Sequence, residues 1–272
     1  MPNGTLPDVD PSVCPADLEQ AGAWLTGHGL ADAKPTPLLA TRLAVRRRTR
    51  LAASVLLAAF IIAVALTYTL ATVDESGSRQ GWSLLVLTAV VVGLVLAQSL
   101  LYGWVRRVDR RAGARLPRRA AHPVRLGWRT VLGWPRAAFA VATFAAAAVL
   151  AIGSLTVRDS TARYAAVVLL IALCGLAVGM VVQLRHILTH PAVADDEASL
   201  TADVIMRVED ARDVAVPTVV WSLPVVSVFS TAFGWWNVAW LVFIVLSVIA
   251  LALINARTAG SGTVARQVTS AR

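Results

Sequence analysis

His186 and His190 lie four residues apart and are followed closely by Asp195, Asp196 and Glu197. A histidine pair at that helical spacing can ligate a metal ion. No glutamate stands between them as in the HExxH motif, and Pro191 ends the helix the pair would have to share. They read as interfacial histidines, and no metal is expected. No Ser/His/Asp set, Gly-rich phosphate loop or Cys/His cluster stands elsewhere in the chain. Cys14 and Cys174 are too far apart for a metal-type spacing and read as free thiols. No catalytic or cofactor-binding residue is therefore assigned, no cofactor is expected, and the chain reads as non-enzymatic.

The remaining candidates are polar or helix-breaking residues inside apolar runs. Gln98 and Gln183 are amides that would hydrogen-bond a neighbouring helix or touch a substrate. Pro217 and Pro224, seven apart, share a helix face with Ser227 and Thr231. Each proline removes a backbone hydrogen bond and kinks a helix, so these four residues form a candidate hinge or cavity wall. Gly175 and Gly179 make a small-xxx-small pair that lets another helix come close.

These positions need elements to hold them, and the composition says which solvent those elements meet. Of 272 residues, 57% are apolar and only 15% charged, where a soluble domain carries roughly 25% charged. The apolar runs are long enough for a hydrocarbon core of ~30 Å. They predict six transmembrane helices at 51–73, 82–104, 131–157, 164–188, 214–233 and 235–256, paired as three hairpins in a domain covering 51–257. Residues 1–50 read as a mostly disordered tail with one short helix near Pro15–Leu25 that buries Leu18, Ala21, Trp24 and Leu25. Residues 258–272 read as a flexible tail, and no stretch between spans reads as a separate soluble domain. No h-region or cleavage site precedes the first span, so no cleaved leader is expected.

Orientation follows from arginine. The net charge is +9, and the loop from Arg106 to Arg129 holds nine arginines against the single acid Asp109. With both termini inside, the inner segments hold 22 basic residues and the outer turns 3, a strong positive-inside pattern. Trp82, Tyr164, Trp235 and Trp236 fall at outer ends, and Trp104, Trp128 and Trp134 at inner ends, as interfacial belts require. Beside the bilayer, Arg106, Arg107, Arg110, Arg111, Arg115, Arg118, Arg119, Arg125 and Arg129 are candidates for contact with anionic headgroups of the inner leaflet. Arg136, at the entrance of the third span, is expected to snorkel to the same headgroups. The charge gathers beside membrane segments and no nucleic-acid motif accompanies it, so nucleic acid is not expected as a partner.

On the same side, 195–213 places Leu200, Val204 and Val208 at helical spacing, beside Ile205, among seven acids. This acidic amphipathic helix either pairs with the basic loop or faces a cytoplasmic protein partner, and the second reading is preferred.

The span pattern from Leu51 to Arg257, the basic and acidic inner loops and the run His190-Pro-Ala-Val-Ala-Asp-Asp-Glu197 resemble small six-span actinobacterial integral membrane proteins. More weakly, the layout is similar to six-span permease subunits of ABC-2-type exporters, which also keep both termini inside and a cytoplasmic loop between spans two and three. The expectation is an all-α polytopic protein of the cytoplasmic membrane, an accessory or interaction component. The alternative is the membrane subunit of a transporter. A polar, water-accessible cavity against the fifth span would favour transport, and a dry, fully packed bundle the accessory role.

Overall fold

The computed structural model describes residues 14–73, 80–114, 121–122, 127–156, 160–189, 192–193, 197–224 and 235–270. In chain order the helices are α1 (Pro15–Gly27), α2 (Pro37–Val73), α3 (Gln80–Ala114), α4 (Trp128–Val131), α5 (Gly133–Ser154), α6 (Ser160–Thr189), α7 (Glu197–Ala215), α8 (Thr218–Ser222), α9 (Trp235–Arg257) and α10 (Ser261–Ser270). The one sheet among the described residues is a two-residue ladder, β1 (Ala121–His122) against β2 (Ala192–Val193). It is antiparallel, with Ala121 opposite Val193.

Five helices, lying within α2, α3, α5, α6 and α9, are long and apolar enough to cross a membrane. Large side chains such as Leu66, Leu70, Leu100, Val141, Val178 and Leu241 stand more than half exposed on them. In water such continuous apolar surface would drive association; in a bilayer it is the expected outer face. Phe60, Val64, Leu87, Val91, Leu169 and Trp240 pack inward as the core of the bundle. On α3 and α6, Thr88 and Tyr164 share a hydrogen bond of 2.7 Å between their hydroxyls.

α9 runs antiparallel to α5. Its last turn meets the first turn of α5, where Arg136 Nη2 donates to Asn255 Oδ1 at 3.0 Å. Its first turn meets the last turn of α5, where a Cβ on Gly153 would lie 2.5 Å from the Trp236 ring. Arg136 is therefore buried against α9, with the Asn255 amide as its partner.

The largest departures from expectation lie at one end of the bundle. α2 starts at Pro37 and not at Leu51. Pro37 suits a first helical turn, and Thr36 caps the helix by accepting from the Leu39 amide at 3.3 Å. The helix has 37 residues. At 1.5 Å per residue it is about 55 Å long, against a hydrocarbon core of ~30 Å, so its N-terminal half stands clear of the span. α1 and α7 pack against that overhang, and α4 and α10 pack on α7, to form a cap. Its core holds Val131, Val204, Ile205, Val208, Ala21 and Met206, all buried.

Within the parts expected as mostly disordered or flexible tails, α1 is the short helix expected there, and the start of α2 and α10 are further helices that join the cap. α1 buries Ala21 and Leu25, with Leu18 and Trp24 partly buried beside them.

The expected fifth span, 214–233, is not one helix over its described part. α7 runs on to Ala215, the chain breaks at Val216–Pro217, and α8 follows. Pro217 has no N–H to continue the ladder, so the backbone restarts with Trp221 N donating to Pro217 O at 3.1 Å. Val219, Val220 and Leu223 of this segment belong to the bundle core.

Candidate functional site

Three arginines on the α2 overhang, Arg42, Arg46 and Arg50, recur every four residues. A helix stacks such positions on one face. Opposite them α7 presents Asp203, Asp210 and Asp213, spaced by seven and three, which also share a face. Arg42 Nη2 donates to Asp203 Oδ1 at 2.7 Å, Arg46 Nη2 to Asp210 Oδ2 at 2.7 Å, and Arg50 Nη2 lies 2.7 Å from Asp213 Oδ2. Asp109, near the end of α3, sits between the first two rungs. It accepts from Arg42 Nε at 3.0 Å and Arg46 Nη2 at 3.0 Å. One ladder therefore ties α2, α3 and α7 together.

The rungs differ in burial. Asp203 is fully buried; Arg207 Nε lies 2.8 Å from its Oδ2, an ion pair without the alignment of a hydrogen bond. Arg50 and Asp213 are both half exposed. Even so, loss of hydration pushes the Asp213 carboxyl above its ordinary value; Arg50 pulls against that, and Asp210 and Glu209 add to it. A second latch closes the cap on its other side. His28 Nδ1 lies 2.8 Å from Trp24 O and its Nε2 lies 2.9 Å from Glu209 Oε1, and Ser261 Oγ donates to the same oxygen at 3.4 Å.

Beneath the ladder, where charge gives way to apolar span, lies a cavity of about 130 Å³ bordered by Arg50, Tyr102, Arg106, His186 and Asp213. A second, of about 70 Å³, lies against Val216–Val220, Gly175 and Gly179. Gln98, Tyr102, Gln183 and Val214 line both, so the two are neighbouring parts of one recess between α3, α6 and the break before α8. Water occupies about 30 Å³ per molecule in the liquid, so the recess admits several waters or the group of a small ligand.

Gln98 and Gln183 thus face a cavity, and neither amide has a hydrogen-bond partner among the described residues. Gln98 is only 8% exposed. The two glycines of α6 divide in their roles. A Cβ on Gly175 would touch Val95 Cγ1 at 3.4 Å, whereas one on Gly179 would meet nothing within 4 Å. Gly175 brings α3 close; Gly179 keeps space open. Pro217 lines the lower cavity and Pro224 is fully buried, while Ser227 and Thr231 lie outside the described residues.

His186 borders the upper cavity, and His190, Asp195 and Asp196 lie outside the described residues. Among the described residues no three His, Cys, Asp or Glu side chains gather as a metal site. Of the arginine loop, Arg106, Arg107, Arg110 and Arg111 extend α3, and Arg129 on α4 lies over the Trp128 ring at 5.3 Å; Arg115, Arg118, Arg119 and Arg125 lie outside the described residues.

α7 is not the free acidic face expected of 195–213. From 198 to 213 only Asp213 is exposed; Asp203, Asp210 and Asp213 pair with arginines of α2, and Glu209 with His28 of α1. The four-residue spacing of Arg42, Arg46 and Arg50 is the sequence signal, not read above, that could have found this pairing. Compared with known proteins, the chain matches no family model, no curated protein and no solved structure.

Proposed function

We propose that the chain is a non-enzymatic, multi-pass protein of the cytoplasmic membrane, with six crossings and with the cap and both termini in the cytoplasm. It would serve as an accessory component that holds a ligand in the recess under its cap. The observation that carries this reading is the recess itself: two amides without protein partners, set between the charged ladder and the apolar spans.

Where the described helices end supports a sixth crossing beside the five long apolar helices. α7 ends at the cap, and α9 begins beside the last turn of α5, at the far end of the bundle. Between them Val219, Val220 and Leu223 already lie in the bundle core, which supports this reading. The basic excess on the cap side supports a cytoplasmic cap by the positive-inside rule. Arg106, Arg107, Arg110, Arg111 and Arg129, close to Trp104, Trp128 and Trp134, suit anionic headgroups of the inner leaflet.

A transporter membrane subunit is the second reading, and one observation favours it: the lower cavity lies directly against the broken segment at Pro217. Reporter fusions at each terminus test the orientation, and an external C-terminus would sink it. Affinity purification of the full chain from native membranes separates the two roles. Recovery with an ATPase subunit selects transport, and recovery without one selects the accessory role.

A further inference from the structure

We infer that the recess is a lipid site: it takes the phosphate and glycerol end of one phospholipid of the adjoining leaflet, phosphate at Arg106 and Arg50, the first methylenes along Gly179. This rests on reading the recess as a ligand site and names the ligand class. Four observations converge on it. First, the recess straddles the level at which the ladder's charges end and the spans begin, so its occupant must be polar at one end and apolar at the other. Second, the three cations on its border are not equivalent. Arg46 is shared between Asp109 and Asp210, and Arg50 is paired with the half-exposed Asp213. Arg106 has no carboxylate partner among the described residues. A phosphate supplies the missing anion, and guanidinium binds it in forked geometry.

Third, Gln98 is more than nine-tenths buried with its amide unpaired. The amide's polar atoms are not among the buried atoms without a partner, so they are open to the recess, and the ester and glycerol oxygens just below a lipid phosphate are acceptors at the right end of the molecule. Fourth, the cavity beside Gly179 sets Val95, Phe144, Leu176 and Val219 next to Gln98, Gln183 and Thr218, so methylenes and polar oxygens of one molecule both find a surface there. A free phosphate ion would satisfy Arg106 and leave the amide and the apolar wall unused.

The test is retention of lipid by the full chain. Protein in nanodiscs of equal phosphatidylglycerol and phosphatidylcholine is transferred to mild detergent and weighed by native mass spectrometry. Wild type is expected to keep one phosphatidylglycerol, and excess inorganic phosphate or glycerol 3-phosphate should not displace it. Gly179→Leu projects from a position where a Cβ meets nothing within 4 Å and should lower occupancy about tenfold or more, equivalent to 1.4 kcal/mol, with Gly179→Ala intermediate. Arg106→Gln should abolish the preference for phosphatidylglycerol over phosphatidylcholine.

Gly93→Leu, on the exposed face of α3 where a Cβ also meets nothing, should change neither. Retention by Gly179→Leu equal to wild type overturns the proposal, as does displacement by inorganic phosphate alone, which marks an ion site. Should Gly179→Leu fail to fold, Arg106→Gln decides, because that arginine holds no ion pair the fold depends on. The measurement is made on purified protein, so its failure leaves the orientation and the native-membrane partners to their own experiments.

Discussion

Arg42→Ala is the sharpest perturbation of the cap. Asp203 has 1% of its side chain exposed and Arg42 10%, so the pair has little water to fall back on. Losing Arg42 strands Asp203 with Arg207 alone, on the oxygen that already lacks an aligned hydrogen bond. It also leaves Asp109 to Arg46. Removing one partner of a buried pair costs about 3–5 kcal/mol, and the more exposed Asp109 contact adds less than about 1 kcal/mol. Whole domains are stable by only about 5–15 kcal/mol, so the cap should open locally while the spans stay helical. At 1.4 kcal/mol per tenfold, exchange of the α7 amides should speed up by about two to three and a half decades.

Hydrogen–deuterium exchange in nanodiscs reads this directly, with α6 and α9 as internal references. Asp203→Asn should act in the same direction. The double variant Arg42→Ala/Asp203→Asn should fall short of the sum by about 2 kcal/mol or more, since the two side chains share one interaction. Replacing the set with apolar residues of similar size, as Arg42→Met/Asp203→Leu/Arg207→Met, should recover most of the loss, because no buried charge at that rung is left unpaired. An α7 exchange rate in Arg42→Ala within tenfold of wild type, or additive single and double variants, refutes the reasoning.

The other rungs and packing contacts give contrasting expectations. Asp213→Asn should cost nothing at neutral pH or raise the melting temperature. A carboxyl whose folded pKa is raised contributes stability in full below its unfolded value of about 3.9 and loses it as pH rises through the folded value. The advantage of the Asp213→Asn variant over wild type should therefore vanish near that lower pH, and a melting-temperature difference independent of pH would count against it. Gly153→Ala places a methyl 2.5 Å from the Trp236 ring and should cost about 1–3 kcal/mol through overpacking; Gly93→Ala, with open space around it, serves as the neutral control, and equal melting temperatures for the two would be the contrary result. His28→Ala removes the bond to Glu209 and should cost about 1.5–3 kcal/mol, seen as faster exchange in α1 and α10 together; protection unchanged in α10 would show that the latch does not join them.

The parts of this fold that were legible in the sequence are those whose cause is local. Leu51–Val73 or Tyr164–Leu188 announces a span because each residue of the run meets the same solvent, and α1 shows its buried side through Ala21 and Leu25 at helical spacing. The cap was hidden for the opposite reason. Residues 37–50 and 261–270 carry no long apolar stripe, and helices that short are marginal in water without tertiary support. What holds α2 out to Pro37 is Asp203, 161 positions away from Arg42 along the chain. The recess was half visible: Gln98, Gln183 and Pro217 stood out as polar or helix-breaking residues in apolar runs. That they meet at one depth depends on how α3, α6 and the broken segment pack, which periodicity does not encode. Gly179 was read as a packing residue because a glycine that brings helices together and one that keeps them apart look the same in a sequence.

The ladder also changes what the arginines of this chain are for. A tally of basic residues treats each as equally free to meet the membrane. Arg42, Arg46, Arg50 and Arg207 are held by Asp109, Asp203, Asp210 and Asp213, so four cations and four acids largely cancel within the cap. Arg106, Arg107, Arg110 and Arg111 at the end of α3, with Arg129 beyond it, take no part in that ladder and stay available for the headgroup contact proposed above. On the proposed orientation, neutralising the ladder should loosen the cap without disturbing insertion, whereas neutralising the α3 set should weaken attachment to anionic lipid first. Arg106 belongs to both worlds, since it ends the span and borders the recess. It is the position at which a lipid drawn to the basic surface would enter the protein.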